Sequence, residues 1–131
     1  SVLSGVSWGG VTSMLYAGTF GGIRAVAPML SSPNLAQVLW DAGQLVGAEM
    51  PISKAELEAL LDFTPRCAFD PARVFPLLGE TDVFFQLEKH RGHYASEPVV
   101  VPRAHVLSLY GVRPLREHIL RVMAWAEENP L

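Results

Sequence analysis

The sequence predicts an α/β fold: a parallel sheet of about four strands flanked by helices. Two observations predict it. Short apolar runs alternate along the chain with stretches of helical periodicity, the pattern of βαβ units. The helical stretches also carry start signals of their own. Half of the 131 residues are hydrophobic, so a chain of one-domain size has the material for a real core.

The elements follow in order. Val2-Leu3 ends a first, buried strand. Gly5-Val6-Ser7-Trp8-Gly9 makes a tight turn, in which flanking glycines avoid the obstruction a Cβ would cause. Gly10 to Ala17 then forms a helix, with Val11, Met14, Leu15 and Gly18 on one face. Ile23 to Ala27 is the second strand, opened by Gly21-Gly22 and closed by Pro28. Ser32 caps the next helix, Pro33 is its first residue and Gly43 its stop. Ser53-Lys54-Ala55-Glu56 is a capping box, so another helix starts there, with Leu57, Leu60 and Leu61 as its buried stripe. Residues from about 30 to 68 are thus a helical excursion between two strands, and residues 1–131 read as part of a single domain with no internal boundary.

Val74 to Leu78 reads as the third strand, although Pro76 can donate no ladder hydrogen bond. Gly79-Glu80-Thr81-Asp82 is the loop at its carboxyl end, and Phe84 to about His90 a short helix. Pro98 to Pro102 is a fourth strand, β-branched and buried in character. The last helix runs from about Pro114 to Glu128, burying Leu115, Ile119, Val122 and Ala126.

Composition narrows the function. A formal net charge of −3 gives no reason to expect nucleic acid as a partner. Arg113, Arg116 and Arg121 share the late helix and read as a solvated face. The single cysteine, Cys67, forms no intrachain disulfide and has no partner at metal-ligand spacing. It fits a reducing compartment, so a cytoplasmic location is expected, with no metal and no cofactor. No apolar run reaches membrane-spanning length.

The chemistry-bearing residues lie at strand ends. In open α/β sheets, functional groups gather at the carboxyl edge. Ser7, Asp82 and His105 each follow a predicted strand, in the order nucleophile, acid, base. G-x-S-x-G between strand and helix is the nucleophile elbow, which presents a serine on a sharp turn. On G-V-S-W-G, on L-L-G-E-T-D and on V-V-V-P-R-A-H before a terminal helix, the chain resembles the α/β-hydrolase superfamily from the elbow onward. These motifs are superfamily-level and name no substrate.

The resemblance implies a serine hydrolase acting on a small acyl substrate such as a carboxylic ester. Ser7 attacks the acyl carbon, His105 moves the proton and Asp82 orients the imidazole. The Trp8 N–H gives one oxyanion hydrogen bond. Asp82 has a structural alternative, as a helix N-cap for the segment near Phe84. His90, His93 and His118 compete with His105. The first two are expected at the amino edge of the fourth strand, far from the site, and His118 within the last helix. Ala104 stands where the family commonly has glycine. Trp8, Tyr16, Trp40 and the leucines of the excursion suggest apolar walls. The resemblance also implies strands before the elbow and a second oxyanion donor. A missing N-terminal half of the domain, or a partner chain, is expected to supply them, so that the 131 residues alone turn over esters poorly. A non-catalytic hydrolase-like binding module is the alternative reading. A flavodoxin-like or Rossmann-like phosphate-binding domain scores poorly, because G-x-G-x-x-G spacing and a P-loop lysine are both missing.

Overall fold

The computed structural model describes residues 1–67, 69–102 and 111–131. Four parallel strands form one sheet in the order β1 (Val2–Val6), β2 (Ala25–Met29), β3 (Leu77–Gly79) and β4 (Val99–Val101). The α-helices among the described residues are α1 (Trp8–Phe20), α2 (Leu35–Leu45), α3 (Lys54–Leu61), α4 (Leu87–His90) and α5 (Val112–Glu128).

Helices cover both faces of β2, and all five of its residues are buried. Successive strand side chains point to opposite faces. Val26 meets Met14 and Ala17 of α1 on one face. Ala25 and Ala27 meet Val122 and Ala126 of α5 on the other, where Met29 packs with Leu115. Small alanines on that face let α5 lie close to the sheet. The α5 stripe is the expected one, except that Ile119 is only partly buried and His118 joins it.

β2 does not stop before Pro28. It runs through it, with Pro28 opposite Gly5. The Phe75 N–H donates to Val26 O at 2.8 Å and the Leu30 N–H to Leu77 O at 2.7 Å. That register would give the Phe75 carbonyl the N–H of residue 28, which proline lacks. His118 Nε2 lies 2.8 Å from that carbonyl instead. A carbonyl only accepts, so His118 carries its proton on Nε2 and completes the ladder from α5. This explains why a histidine is 3% exposed in the last helix.

Other boundaries shift for similar reasons. Pro76 delays β3 to Leu77, leaving a lone bridge between Val26 and Val74. β4 lies at the sheet edge, so Val99 and Val100 are exposed and only Val101 is buried. The cap of α2 is Asn34 rather than Ser32: the Gln37 N–H donates to Asn34 Oδ1 at 3.1 Å, while Ser32 Oγ accepts the Asn34 N–H at 3.2 Å. α2 passes Gly43, which packs on Met50, and turns out at Gly47 with φ 66°. The capping box of α3 forms in both directions, 3.2 Å from the Glu56 N–H to Ser53 Oγ and 2.8 Å from the Ser53 N–H to Glu56 Oε2. Leu57 is buried there, but Leu60 is exposed.

Candidate active site

β1 ends at Val6 and α1 begins at Trp8, so one residue makes the whole turn. Ser7 has φ 56° and ψ −119°, a left-handed conformation that L side chains with a Cβ rarely adopt. Holding it costs about 1–3 kcal/mol, which the surroundings must offset. Three contacts do so. The Ser7 N–H donates to Met29 O at 2.9 Å, extending the β1–β2 ladder into the turn. The Gly10 N–H donates to Ser7 O at 3.0 Å, the first bond of α1. Ser31 Oγ donates to the same carbonyl at 2.7 Å. Leu30, just before Ser31, also has a positive φ, 49°, and is fully buried. Two strained residues therefore sit side by side at the carboxyl ends of β1 and β2.

The steric demand on glycine falls on Gly5 and Gly10, not on the flanking pair Gly5 and Gly9. A Cβ at Gly5 would collide with the Gly9 carbonyl. One at Gly10 would lie 2.5 Å from Ser31 Cβ, whereas one at Gly9 meets open space. The helix thus crosses β1 and the Ser31 loop at backbone distance.

Trp8 opens α1, and the first N–H groups of a helix have no partner within it. Among the described residues no backbone carbonyl takes the Trp8 N–H. Trp8 itself is 68% exposed, next to Ser7. Ser7 and Trp8 line a pocket of ≈ 310 Å³ with Leu35, Val38, Leu39, Phe84 and Phe85. The leucines come from α2, as the helical excursion suggested. Tyr16 and Trp40 do not line it: Tyr16 stacks near Phe20, ring centroids 4.7 Å apart, and Trp40 lines a separate groove with Asp41 and Lys89.

Asp82 lies past the end of β3 and is buried, 4% exposed. Its Oδ1 accepts the N–H groups of Phe84 and Phe85, both at 2.9 Å. The carboxylate therefore shapes a turn and does not cap a helix: α4 starts only at Leu87, with Gln86 at its cap position, so the helix expected from Phe84 is shorter and Asp82 is not its N-cap. The two phenylalanines it holds are walls of the Ser7 pocket, so the Asp82 turn and the elbow face one space. Sequence reasoning missed both phenylalanines, although an F-F pair directly after a strand-end acid was a visible signal. It also passed over Ser31, whose contact with Ser7 spans 24 positions. His105 lies outside the described residues.

His90 and His93 are nearer the site than expected. The His90 ring is fully buried, 5.8 Å from the Phe85 ring and 5.8 Å from that of His93. Neither His90 nitrogen has a hydrogen-bond partner among the described residues. Burial pushes its pKa from 6.5 down to about 4, helped by His93 and Lys89 and opposed by Asp41 and Asp82. An unfolded His90 binds a proton below pH 6.5 while the folded one does not until about 4. Stability should therefore be full above pH 6.5 and fall by roughly 3 kcal/mol as pH drops to 4, with no further loss from this group below that. His118, also lowered by burial, adds in the same direction. Chemical denaturation at pH 7 and pH 4.5 checks this: His90→Leu should flatten most of the slope, and an unchanged slope would assign it to other groups.

No group of three His, Cys, Asp or Glu side chains among the described residues is placed to hold a metal ion. No described helix is long and apolar enough to cross a membrane. Arg113, Arg116 and Arg121 are exposed, and Arg113 pairs with Glu117 at 2.9 Å.

No protein-family model matches this chain, and no curated protein does. Among solved structures it is similar to a carboxylesterase crystal structure from the ammonia-oxidizing Thaumarchaeon Nitrososphaera gargenis, with a TM-score of 0.62 and 13% identity. The match covers 98% of this chain and 66% of that one. The likeness is one of fold, a parallel α/β sheet flanked by helices, and the chain spans about two thirds of the esterase's length.

Proposed function

We propose that this chain carries the nucleophile of a serine hydrolase that cleaves carboxylic esters or related acyl compounds. The observation that carries the reading is the backbone of Ser7. A non-glycine residue at φ 56°, between a strand and a helix, is a strained arrangement that a merely connecting turn does not need. The carboxylesterase likeness supports the same class.

In this reading Ser7 Oγ bonds to the acyl carbon while its proton passes to His105. The Trp8 N–H donates to the oxyanion that forms. Collapse of the tetrahedral intermediate breaks the ester C–O bond, and the imidazolium returns its proton to the departing alcohol. Water then attacks the acyl-enzyme by the same path in reverse, releasing the acid and Ser7. Asp82 orients the imidazole and offsets its charge. The leucine and phenylalanine walls favour a compact apolar substituent beside the scissile bond. The second oxyanion donor belongs to polypeptide docked along β1, the terminal strand of the described sheet.

A fluorophosphonate probe tests the proposal on the protein expressed from its complete gene. A single adduct mapped to Ser7 by peptide mass spectrometry, and lost in Ser7→Ala, is the expected result. A folded protein whose Ser7 stays unlabelled would instead be a non-catalytic hydrolase-like binding module.

A further inference from the structure

A second cavity lies on the α1 side of the sheet, sharing no lining residue with the Ser7 pocket. Its volume is ≈ 160 Å³. Met14 of α1, Val26 of β2, Phe69 and Val74 give it carbon walls. Four polar residues also line it, yet each has turned to the protein. Tyr94 Oη donates to Ser31 O at 2.8 Å, and Ser96 Oγ to Val74 O at 2.8 Å. Thr64 Oγ1 donates to Asp62 Oδ1 at 2.6 Å, and His93 Nε2 is engaged with Asn34 Nδ2 at 3.3 Å. Beside these the lining holds the sulfurs of Cys67 and Met14, weakly polar groups, and the second ring nitrogen of His93. Burial pushes the Cys67 thiol up to about 11, so it stays uncharged at neutral pH.

We propose that this cavity is a binding site for a compact apolar molecule, about the size of one benzene ring. Water needs two to four polar partners to settle in a cavity, and this lining has already committed the hydrogen-bonding groups named above, except one ring nitrogen and the weakly polar sulfurs. An enclosed apolar cavity of about 150 Å³ is known to admit benzene or xenon, and this pocket matches it in volume while also opening to solvent, which gives a ligand its way in. The site is also placed to matter. Its wall residue Tyr94 bonds to the backbone of Ser31, whose side chain holds the Ser7 carbonyl. It is nonetheless independent of the esterase reading, because nothing in its chemistry requires Ser7 to react.

The test uses benzene and the intact protein, with the methyl group of Met14 ¹³C-labelled. Titration should move the Met14 resonance saturably and raise Tm. Cys67→Leu and Val74→Phe each fill the cavity from a different side, and one extra methylene in an apolar pocket changes affinity by about ten-fold or more. Both should weaken the Met14 response by at least that factor, and either variant suffices if the other fails to fold. A Met14 methyl unmoved at saturating benzene would overturn the proposal, even if Tm rose through binding beside Ser7. A response undiminished in a folded, filled variant would overturn it equally.

Discussion

Replacing Ser7 by alanine is expected to lower ester turnover by on the order of 10⁴- to 10⁶-fold, with the fold intact. His105→Ala should cost about as much, and the double variant little more than either alone, because the members of a triad act as a unit. Additive losses would point instead to separate structural roles. Asp82 offers a sharper separation. Its Oδ1 holds the Phe84 and Phe85 N–H groups, and an asparagine Oδ1 accepts the same two bonds. Asp82→Asn therefore preserves the turn while removing the charge. If the acid orients His105, turnover should fall by on the order of 10⁴-fold, through the wrong imidazole tautomer. If Asp82 only shapes the turn, Asp82→Asn should be nearly silent in kinetics. Steady-state hydrolysis of p-nitrophenyl acetate, with Tm measured on each variant, decides between them.

The parts of this protein that were legible in its sequence are those written in neighbouring residues. Strand, tight turn and helix around Ser7 follow one another within 20 positions, and the structure has them in that order. The capping box at Ser53 is a four-residue signal and forms as read. Part of what the sequence hid depends on contacts between distant segments. Pro28 looked like the end of a strand, because its missing N–H is a local fact. The His118 ring that takes over the orphaned Phe75 carbonyl lies 43 positions beyond Phe75. His90 looked remote for a different reason: the short helix reads as leading away toward β4, whereas its ring folds back onto Phe85, only five positions earlier. Ser32 lost its cap to Asn34 because its hydroxyl accepts the N–H two residues on, closing a turn ahead of the helix.

Gly5→Ala should be the most damaging single substitution in the elbow, and Gly9→Ala the most benign. The pentapeptide pattern treats the two glycines alike, but the packing does not. At Gly5 a methyl group points into the Gly9 carbonyl, and backbone in a strand–helix crossing has no rotamer to yield with. Relief requires moving α1 off β1. That would pull Ser7 away from Met29 and break the ladder bond that holds the turn. A loss of about 3 kcal/mol or more is expected, lowering Tm by about 10 °C or more in a domain of this size. Gly10→Ala should cost about 1–3 kcal/mol, because Ser31 must give way and loosen its bond to the Ser7 carbonyl. At Gly9 the same methyl enters open space within a helix, where alanine is favoured over glycine by about 1 kcal/mol. Gly9→Ala should therefore leave Tm unchanged or raise it. Thermal unfolding of the three variants side by side is the measurement. A Gly9→Ala protein as unstable as Gly5→Ala would mean that the crossing of α1 over β1 is looser at Gly5, and tighter at Gly9, than the packing described above.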